Sequence, residues 1–325
     1  MSGRSVLITG AAGYIGRKLV RAIAGDEGVA SRLVAVDVRE EAEESRLPDV
    51  EYVVGDVRDA ASLERALREH AVDTVVHLAS IVSPGKDSSR ALEYAVDVEG
   101  TRNVLDACLA TGVGQLIVTS SGAAYGYYAD NPEWLDEEDA IRGNEAFAYA
   151  HHKRLVEEML AEARALHPEL GQLVLRPGTV LGEGVQNQIT ALFEKSFVLG
   201  VAGATSPFVI IWDEDVVACL AKGIREGRRG IYNLAGDGTL TMREIARRID
   251  KPYLPLPAGL LAGALRLLHP LGLSRYRAEQ VDFLRYRPVL SNRRLKDEFG
   301  YTPRKTTSEV FDFYWEHRSG GEASA

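Results

Sequence analysis

The sequence predicts an α/β fold built on a doubly wound parallel sheet. Short β-branched runs alternate with amphipathic stretches through the first half of the chain, and each stretch is long enough for a crossover helix. A glycine-rich segment directly follows the first run. Strands that alternate with helices in this way form parallel sheets covered on both faces.

Six strands are predicted in chain order over the first half. They read SVLIT, RLVAVD, EYVVGD, DTVVHLA, QLIVTS and QLVLRP, and the last ends at Pro177. The helix before the sixth strand contains YAHHKRLVEEMLAEARAL, which keeps apolar residues at helical spacing. Two later runs, PFVII and GIYNLAG, are expected to return to the sheet.

The domain organisation follows from where this alternation stops. Residues 1–177 are predicted to form the main domain, rejoined by about 207–236. Residues 178–206 and 237–318 are expected to form a smaller, mostly helical lobe that binds the substrate. Residues 319–325, SGGEASA, lack large apolar side chains and are expected to be a disordered tail.

Composition narrows the class of protein. The net charge of -9 disfavours nonspecific nucleic-acid binding, which depends on Lys and Arg. Cys108 and Cys219 lack metal-ligand spacing, so a reducing compartment and two buried thiols are expected. We see no signal peptide and expect a cytoplasmic protein. The apolar segment 256–273 contains Arg266, His269 and two prolines, which favours a packed helix over a membrane span.

The segment TGAAGYIG has the features of a phosphate-binding loop. Gly10, Gly13 and Gly16 follow a strand and open a helix, where a tight turn and free N–H groups suit a pyrophosphate. Asp37 ends the next strand, 21 residues after Gly16, where a carboxylate accepts hydrogen bonds from a ribose. We therefore expect a Rossmann-like domain that prefers NAD to NADP, although Arg39 lies nearby.

A Tyr-x-x-x-Lys pair occurs three times, starting at Tyr14, Tyr149 and Tyr301. The first pair lies in the helix beneath the expected pyrophosphate, and the third brackets Pro303 in a predicted turn. Only Tyr149 and Lys153 lie one turn apart on a helix that directly precedes a core strand. We therefore single out this pair for chemistry.

Taken together, these motifs resemble the extended short-chain dehydrogenase/reductase family, which includes NAD-dependent epimerases and dehydratases. The likeness covers most of the chain and includes GDVRD, HLAS, VEGTRNVLDAC, TSSGAAYG and YAHHK. Weaker similarities follow in LRPGTVLG, IIWDEDVV and LSNRRLKDEFGYTP.

This resemblance implies a set of functional residues. Tyr149 would be the acid/base, Lys153 would hold the nicotinamide ribose, and Ser121 would donate to the substrate oxygen. Substrate contacts would come from Ser121, Tyr149 and Thr179. Cofactor contacts would come from Gly10, Ala12, Gly13, Tyr14, Ile15, Gly16, Asp37, Asp56, Val57, Leu78, Ala79, Ser80, Thr119, Tyr149, Lys153 and Pro177.

Several positions depart from the family pattern. Asp97 stands where relatives usually carry Asn, and Gly122 and Ala123 replace the acidic pair of dehydratases, which disfavours dehydration. Thr179 replaces an Asn that contacts diphosphate in sugar-nucleotide epimerases. Arg275 and Arg277 are the candidate diphosphate ligands instead.

Three functions remain open. We prefer an NAD-dependent epimerase, with a UDP-sugar 4-epimerase as the named activity. The alternatives are an alcohol or hydroxysteroid dehydrogenase, whose apolar pocket the helix around Leu260–Leu268 would wall, and a nonenzymatic NAD-sensing protein. Tyr127 and Tyr128 suit either the pocket or packing, and no metal is expected at His151 and His152, because adjacent helical residues point in different directions.

The resemblance also implies a homodimer built from the helices that carry YAHHK and VEGTRNVLDAC. Val104, Leu105, Leu155 and Met159 are the candidate apolar contacts.

Overall fold

The structure is a computed structural model, and it describes residues 3–82, 85, 88–187, 189–204, 206–268 and 281–318. Strands are β1 Arg4–Thr9, β2 Ala30–Asp37, β3 Val50–Val54, β4 Thr74–His77, β5 Gln115–Thr119, β6 Gly171–Pro177, β7 Thr179–Leu181, β8 Val198–Val201, β9 Ile210–Trp212, β10 Gly230–Leu234 and β11 Tyr253–Leu256. Helices are α1 Tyr14–Ile23, α2 Ala60–Glu69, α3 Arg90–Tyr94, α4 Gly100–Thr111, α5 Ala148–Leu166, α6 Asp213–Glu226, α7 Met242–Arg248, α8 Ala258–Leu268, α9 Val281–Arg285, α10 Arg293–Asp297 and α11 Thr307–Glu316.

In this part of the chain the main sheet has seven parallel strands, in the order β10-β6-β5-β4-β1-β2-β3. This is the predicted Rossmann-like fold. Because the winding reverses between β1 and β4, a crevice opens beyond the carboxyl ends of these strands, where such sheets bind ligands. The carboxyl ends of β1, β2, β4 and β5 therefore position the predicted site.

Helices cover both faces of this sheet. Helices α1 and α6 pack on one face through Leu19, Ile23 and Leu220. Helices α2, α4 and α5 pack on the other, where Leu105 and Leu160 are almost fully buried. The sheet's two-sided burial explains why its strands read as continuous apolar runs rather than alternating ones.

Beyond Pro177 the chain builds a second core. The ring of Phe193 lies between those of Phe208 and Phe311, with centroids 6.1 and 5.5 Å away, and two small sheets, β7-β9 and β8-β11, flank them. The segment 207–211 was expected to return to the main sheet, but it does not. Its strand β9 pairs instead with β7, a short strand outside the main sheet that begins directly after Gly178.

The main domain and the second core do not divide at one position in the chain. Strand β10 joins the main sheet beside β6, as predicted for GIYNLAG. Leu295 and Phe299, which lie in the segment predicted as lobe, pack in the core beneath the main sheet, with Phe299 against Tyr232. The predicted tail and the arginines at 275 and 277 lie outside the described residues. None of the described helices is both long and apolar enough to cross a membrane.

Candidate active site

The glycine loop after β1 is closely packed against the end of β4. Gly10 has a φ of +69°, and a Cβ there would lie 2.6 Å from the backbone nitrogen of Ala79. At Gly16 a Cβ would lie 2.2 Å from the carbonyl oxygen of Gly10. Helix α1 begins after Gly13 with no side-chain cap and no acid in its first turn. The glycines therefore permit the tight turn and its close packing, and the free N–H groups at the start of α1 fit the pyrophosphate of a dinucleotide.

Asp37 lies at the end of β2 and is tied to this loop. Its Oδ2 accepts a hydrogen bond from the backbone nitrogen of Ala12 at 3.0 Å. Arg39 donates from its backbone nitrogen to Oδ1 at 3.0 Å and from Nη2 to the Ala12 carbonyl at 2.7 Å. The carboxylate therefore meets a guanidinium that is itself more than half exposed.

The other predicted cofactor residues lie around the same crevice. Asp56 follows β3 and pairs with Arg58, while Val57 is buried and its carbonyl accepts from Asn103 at 3.0 Å. Leu78 continues β4, and its backbone nitrogen donates to Thr9 at 3.1 Å. Pro177 ends β6. Each of these cofactor residues therefore follows or ends a strand, whereas Thr179, predicted to contact the substrate, begins β7.

Tyr149 and Lys153 occupy the first turns of α5, which packs against the turn Gly122–Tyr125. Lys153 is buried, and its Nζ donates to the carbonyl of Thr119 at 3.0 Å, which joins the helix to the end of β5. The same Nζ lies 5.6 Å from the centre of the Tyr149 ring. Ser121 begins the turn, and its Oγ accepts from the backbone nitrogen of Ala123 at 3.1 Å. The lone pair used there leaves its O–H able to donate to a ligand.

The other two Tyr-x-x-x-Lys pairs have different surroundings. Tyr14 donates to the buried Asp213 carboxylate, which Lys18 also contacts at 3.1 Å. Burial and this carboxylate raise the pKa of Tyr14. Tyr301 donates to Asp215 at 2.7 Å, and no helix spans residues 301–305. Both tyrosines tie α6 to a neighbouring segment.

A cavity of about 510 Å³ lies next to Phe147, two residues before Tyr149. Tyr127, Phe147 and Phe283 line it, and the Phe147 ring centroid is 6.3 Å from that of Tyr149. The face of α8 toward the cavity carries two alanines, a glycine and an arginine, at Ala258, Gly259, Ala262 and Arg266. Leu260 and Leu267 are 61% and 72% exposed, so the leucines do not wall the cavity as the dehydrogenase hypothesis expects.

Arg287 is a buried cation next to this cavity that the sequence did not indicate. Its guanidinium lies 3.9 Å from the Phe208 ring centroid and 5.9 Å from that of Phe283. Its Nη1 donates to the carbonyl of Ser206 at 3.5 Å, while Nε and Nη2 have no partner among the described residues. Burial lowers the pKa of Arg287 to about 10. The available signal was a pair of arginines, Arg285 and Arg287, inside the mostly apolar run DFLRYRPVL, and the sequence does not show which of the two is buried.

Two buried side chains of α5, His152 and Glu157, pair with residues on neighbouring segments. His152 donates from Nδ1 to Asp97 at 3.0 Å. Glu157 pairs with Arg176, whose Nε lies 2.9 Å from the carboxylate. No group of three or more possible metal ligands occurs in the described ranges. His152 contributes to a hydrogen-bond network with Asp97.

Comparison with known proteins gives one family and several related folds. The NAD dependent epimerase/dehydratase family matches residues 6–234. An Escherichia coli O157:H7 protein, N-acetyl-alpha-D-glucosaminyl-diphospho-ditrans,octacis-undecaprenol 4-epimerase, is 29% identical over 80% of this chain and 78% of its own length.

Two solved structures share the fold over nearly the whole chain. Thermus thermophilus UDP-glucose 4-epimerase with NAD has a TM-score of 0.73 and 24% identity, covering 98% of this chain and 99% of its own. Bordetella bronchiseptica WbmG with NAD and UDP has a TM-score of 0.73 and 19% identity, covering 97% and 94%.

Proposed function

Since the chain belongs to the NAD-dependent epimerase/dehydratase family, we propose that it is a 4-epimerase of a sugar carried on a diphosphate, with a UDP-sugar as the first candidate. It is an NAD-dependent enzyme of the short-chain dehydrogenase/reductase type. The residues that act, the substrate and the assembly are our proposal.

The chain's own residues handle the proton of the substrate hydroxyl. Tyr149 Oη takes this proton as the hydroxyl is oxidised and returns it when the carbonyl is reduced. Ser121 Oγ donates a hydrogen bond to the same substrate oxygen, and Lys153 places a positive charge beside the Tyr149 ring. The chemistry that NAD supplies when bound is the acceptance and return of a hydride.

The same turn argues against elimination of water. Gly122 and Ala123 directly follow Ser121 and carry no group that exchanges a proton. Oxidation followed by reduction on the other face of the carbonyl needs no further acid or base. Epimerisation is therefore favoured over dehydration.

Arg287 is the observation that carries the diphosphate assignment. A buried guanidinium with two unpartnered nitrogens costs several kcal/mol of folding free energy unless an anion compensates it. A diphosphate oxygen can accept two N–H groups at once, and each such charged hydrogen bond contributes about 1.5 to 3 kcal/mol. Phe283, which lies 5.9 Å from this cation, lines the cavity together with Phe147, and the Phe147 ring lies 6.3 Å from that of Tyr149.

The relatives support the same substrate class. The E. coli relative is named for a diphospho-linked sugar, and the Bordetella structure holds UDP. A second candidate is a sugar diphosphate on a lipid, favoured by the exposed Leu260 and Leu267 on the helix that also lines the cavity.

The experiment is an epimerisation assay followed by NMR of the sugar, with UDP-glucose, UDP-N-acetylglucosamine and a polyprenyl-diphosphate sugar as substrates. Arg287→Leu is expected to weaken binding of UDP to the NAD-loaded protein roughly 10-fold or more, and to raise Tm because a buried unpaired charge is removed. Arg293→Leu, an exposed arginine on α10, is the matched control and is expected to change neither.

Accumulation of NADH without epimer would contradict the epimerase and favour the dehydrogenase. Unchanged UDP affinity in Arg287→Leu would remove the diphosphate argument. If the protein binds NAD but turns over none of the three sugars or an apolar alcohol, the NAD-sensing alternative takes precedence.

The remaining proposals concern organisation. We propose that 178–206 and 237–318 bind the substrate, that the enzyme is cytoplasmic, and that it is a homodimer formed through α4 and α5. Val104, Leu105 and Met159 pack in the core of their own chain. Leu109 and Leu155 are only partly buried and are the apolar residues left for a twofold interface.

A further inference from the structure

Asp97 lies at an irregular point of the helix that precedes the sheet's fifth strand. A π-helical turn, Ala95–Glu99, joins α3 to α4, and such turns frequently occur at functional sites. The Asp97 side chain is almost completely buried, as is that of His152 on α5. A buried carboxylate persists as an ion only where donors or cations compensate it.

Three donors from two separate segments meet this carboxylate. Its Oδ1 accepts from Ser80 Oγ at 3.0 Å and from the backbone nitrogen of Ile81 at 2.8 Å. Its Oδ2 accepts from His152 Nδ1 at 3.0 Å. Asp97 therefore joins the loop after β4 to the helix that carries Tyr149 and Lys153.

The charges around Asp97 show that the carboxylate is ionised. Burial alone would raise its pKa, but the hydrogen bond from His152, the charge of Lys153 and the two donors at Oδ1 hold the pKa below its ordinary value. His77, another titratable neighbour, is neutral because burial and Lys153 lower its pKa to about 3. Its ring nitrogens are bonded to Thr9 and Thr101 instead.

We propose that Asp97 and His152 form a positioning pair that fixes the loop after β4, and with it the cofactor crevice, against the helix bearing the acid/base tyrosine. The expected effect of the pair on turnover rests on the proposed function, through the roles of Tyr149 and Lys153. Its effect on NAD binding follows from the contacts of Ser80 and Ile81, because the preceding Ala79 packs against Gly10 of the glycine loop.

The hydrogen bonds determine what Asp97→Asn does. Ser80 and Ile81 both donate to one oxygen, and only the amide oxygen of an asparagine can replace it. The amide nitrogen then faces His152 and donates, so Nδ1 of His152 must become an acceptor. Asp97→Asn therefore removes the proton from Nδ1 of His152 while the shape of the pair is kept.

Nitrogen-15 NMR of labelled histidines reads this proton directly, and the His152 signal is assigned by its loss in His152→Asn. The expected result is a protonated Nδ1 in the wild type and an unprotonated one in Asp97→Asn. A protonated Nδ1 in both proteins would overturn the pair. This measurement needs no substrate, so a wrong sugar assignment leaves it valid.

NAD affinity, measured by calorimetry, tests the positioning. His152→Leu leaves Oδ2 of Asp97 without its donor and is expected to weaken NAD binding roughly 10-fold, while Asp97→Asn weakens it roughly threefold. His152→Asn keeps a donor at the Nδ1 position and is expected to restore affinity. His151→Leu, at the adjacent position without a contact to Asp97, is the matched control.

The double variant Asp97→Asn, His152→Leu separates a pair from two independent residues. Since it removes the charge together with its donor, it is expected to bind NAD better than His152→Leu alone. Additive losses, roughly 30-fold in all, would overturn the proposal. Should His152→Leu fail to fold, His152→Asn and Asp97→Asn carry the test. Failure of the wild type to bind NAD would instead contradict the proposed function.

Discussion

At the scale of the residue, identical spacing produces three different environments. Tyr14 and Tyr301 both donate to buried carboxylates on α6, which hold the proton on the phenol. The ammonium does not distinguish Tyr149 from Tyr14, because Lys153 lies 5.6 Å from the Tyr149 ring and Lys18 lies 5.7 Å from the Tyr14 ring. The carboxylates on α6 are therefore what sets Tyr14 and Tyr301 apart from the proposed acid/base.

Tyr149→Phe keeps the ring and removes the proton that is exchanged. We expect turnover to fall roughly 10²- to 10⁴-fold while NAD binding, measured by calorimetry, is retained. Tyr301→Phe is the control, since it removes a hydroxyl from the same pattern whose partner is Asp215 on α6. Near wild-type turnover in Tyr149→Phe would move the chemistry to another residue.

Asp37 is expected to make NAD the tighter cofactor, because its carboxylate accepts from ribose hydroxyls and repels a 2′-phosphate. Asp37→Asn removes the charge while Arg39 stays in place, so NADP affinity should rise roughly 10-fold. Glu44→Gln removes an exposed carboxylate from the same loop and should change nothing. NADP binding as tight as NAD in the wild type would refute the assignment.

At the scale of the element, local sequence signals define several helix ends. Thr241 and Glu244 form a reciprocal capping box at the start of α7, with the Thr241 nitrogen donating to Glu244 at 2.8 Å. The backbone N–H of Thr241 lowers the pKa of Glu244. The pattern Thr-x-x-Glu is readable in the sequence without any knowledge of the fold.

Thr241→Ala should lower the free energy of unfolding by about 1 kcal/mol, measured by urea denaturation. Because the folded pKa of Glu244 is depressed, the contribution of the cap is complete above the ordinary pKa of glutamate. It should be lost as pH falls through the lower folded value. Thr239→Ala, two residues before the cap, should leave stability unchanged, and an equal loss there would contradict the assignment.

Elements with strong local patterns were predictable, and pairing choices were not. The six strands up to Pro177 and the glycine loop follow from apolar runs and adjacent glycines. Strand β9 was wrongly assigned to the main sheet, because three apolar residues fit either partner and only tertiary packing chose β7.

Contacts between side chains distant in sequence could not be predicted either. Arg287 and the pair of Asp97 with His152 depend on contacts between residues 55 to 81 positions apart. Neither has a fixed spacing that a sequence pattern could reveal. The sequence shows that Asp97 stands where relatives usually carry Asn, but it does not show that His152 is its partner.

At the scale of the whole molecule, the proposed homodimer can be tested by light scattering across a range of concentrations. We expect twice the mass of the 35.5 kDa chain. Leu155→Glu should give a monomer because it places a charge in the interface between α5 helices. Leu267→Glu, on the exposed face of α8, is the matched control. A monomer mass for the wild type at every concentration would reject the dimer.

The order of strands in the main sheet also has a consequence for biosynthesis. All of its strands except β10 are complete by Pro177, and β6, whose residues are buried throughout, then forms an open edge with unpaired backbone groups. The 57 residues from Gly178 to Leu234 must be made before β10 covers it. At ribosomal rates this takes roughly 3 to 11 s. The nascent chain is thus most prone to aggregate while residues 178–234 are being translated, and a chaperone is most useful during that interval.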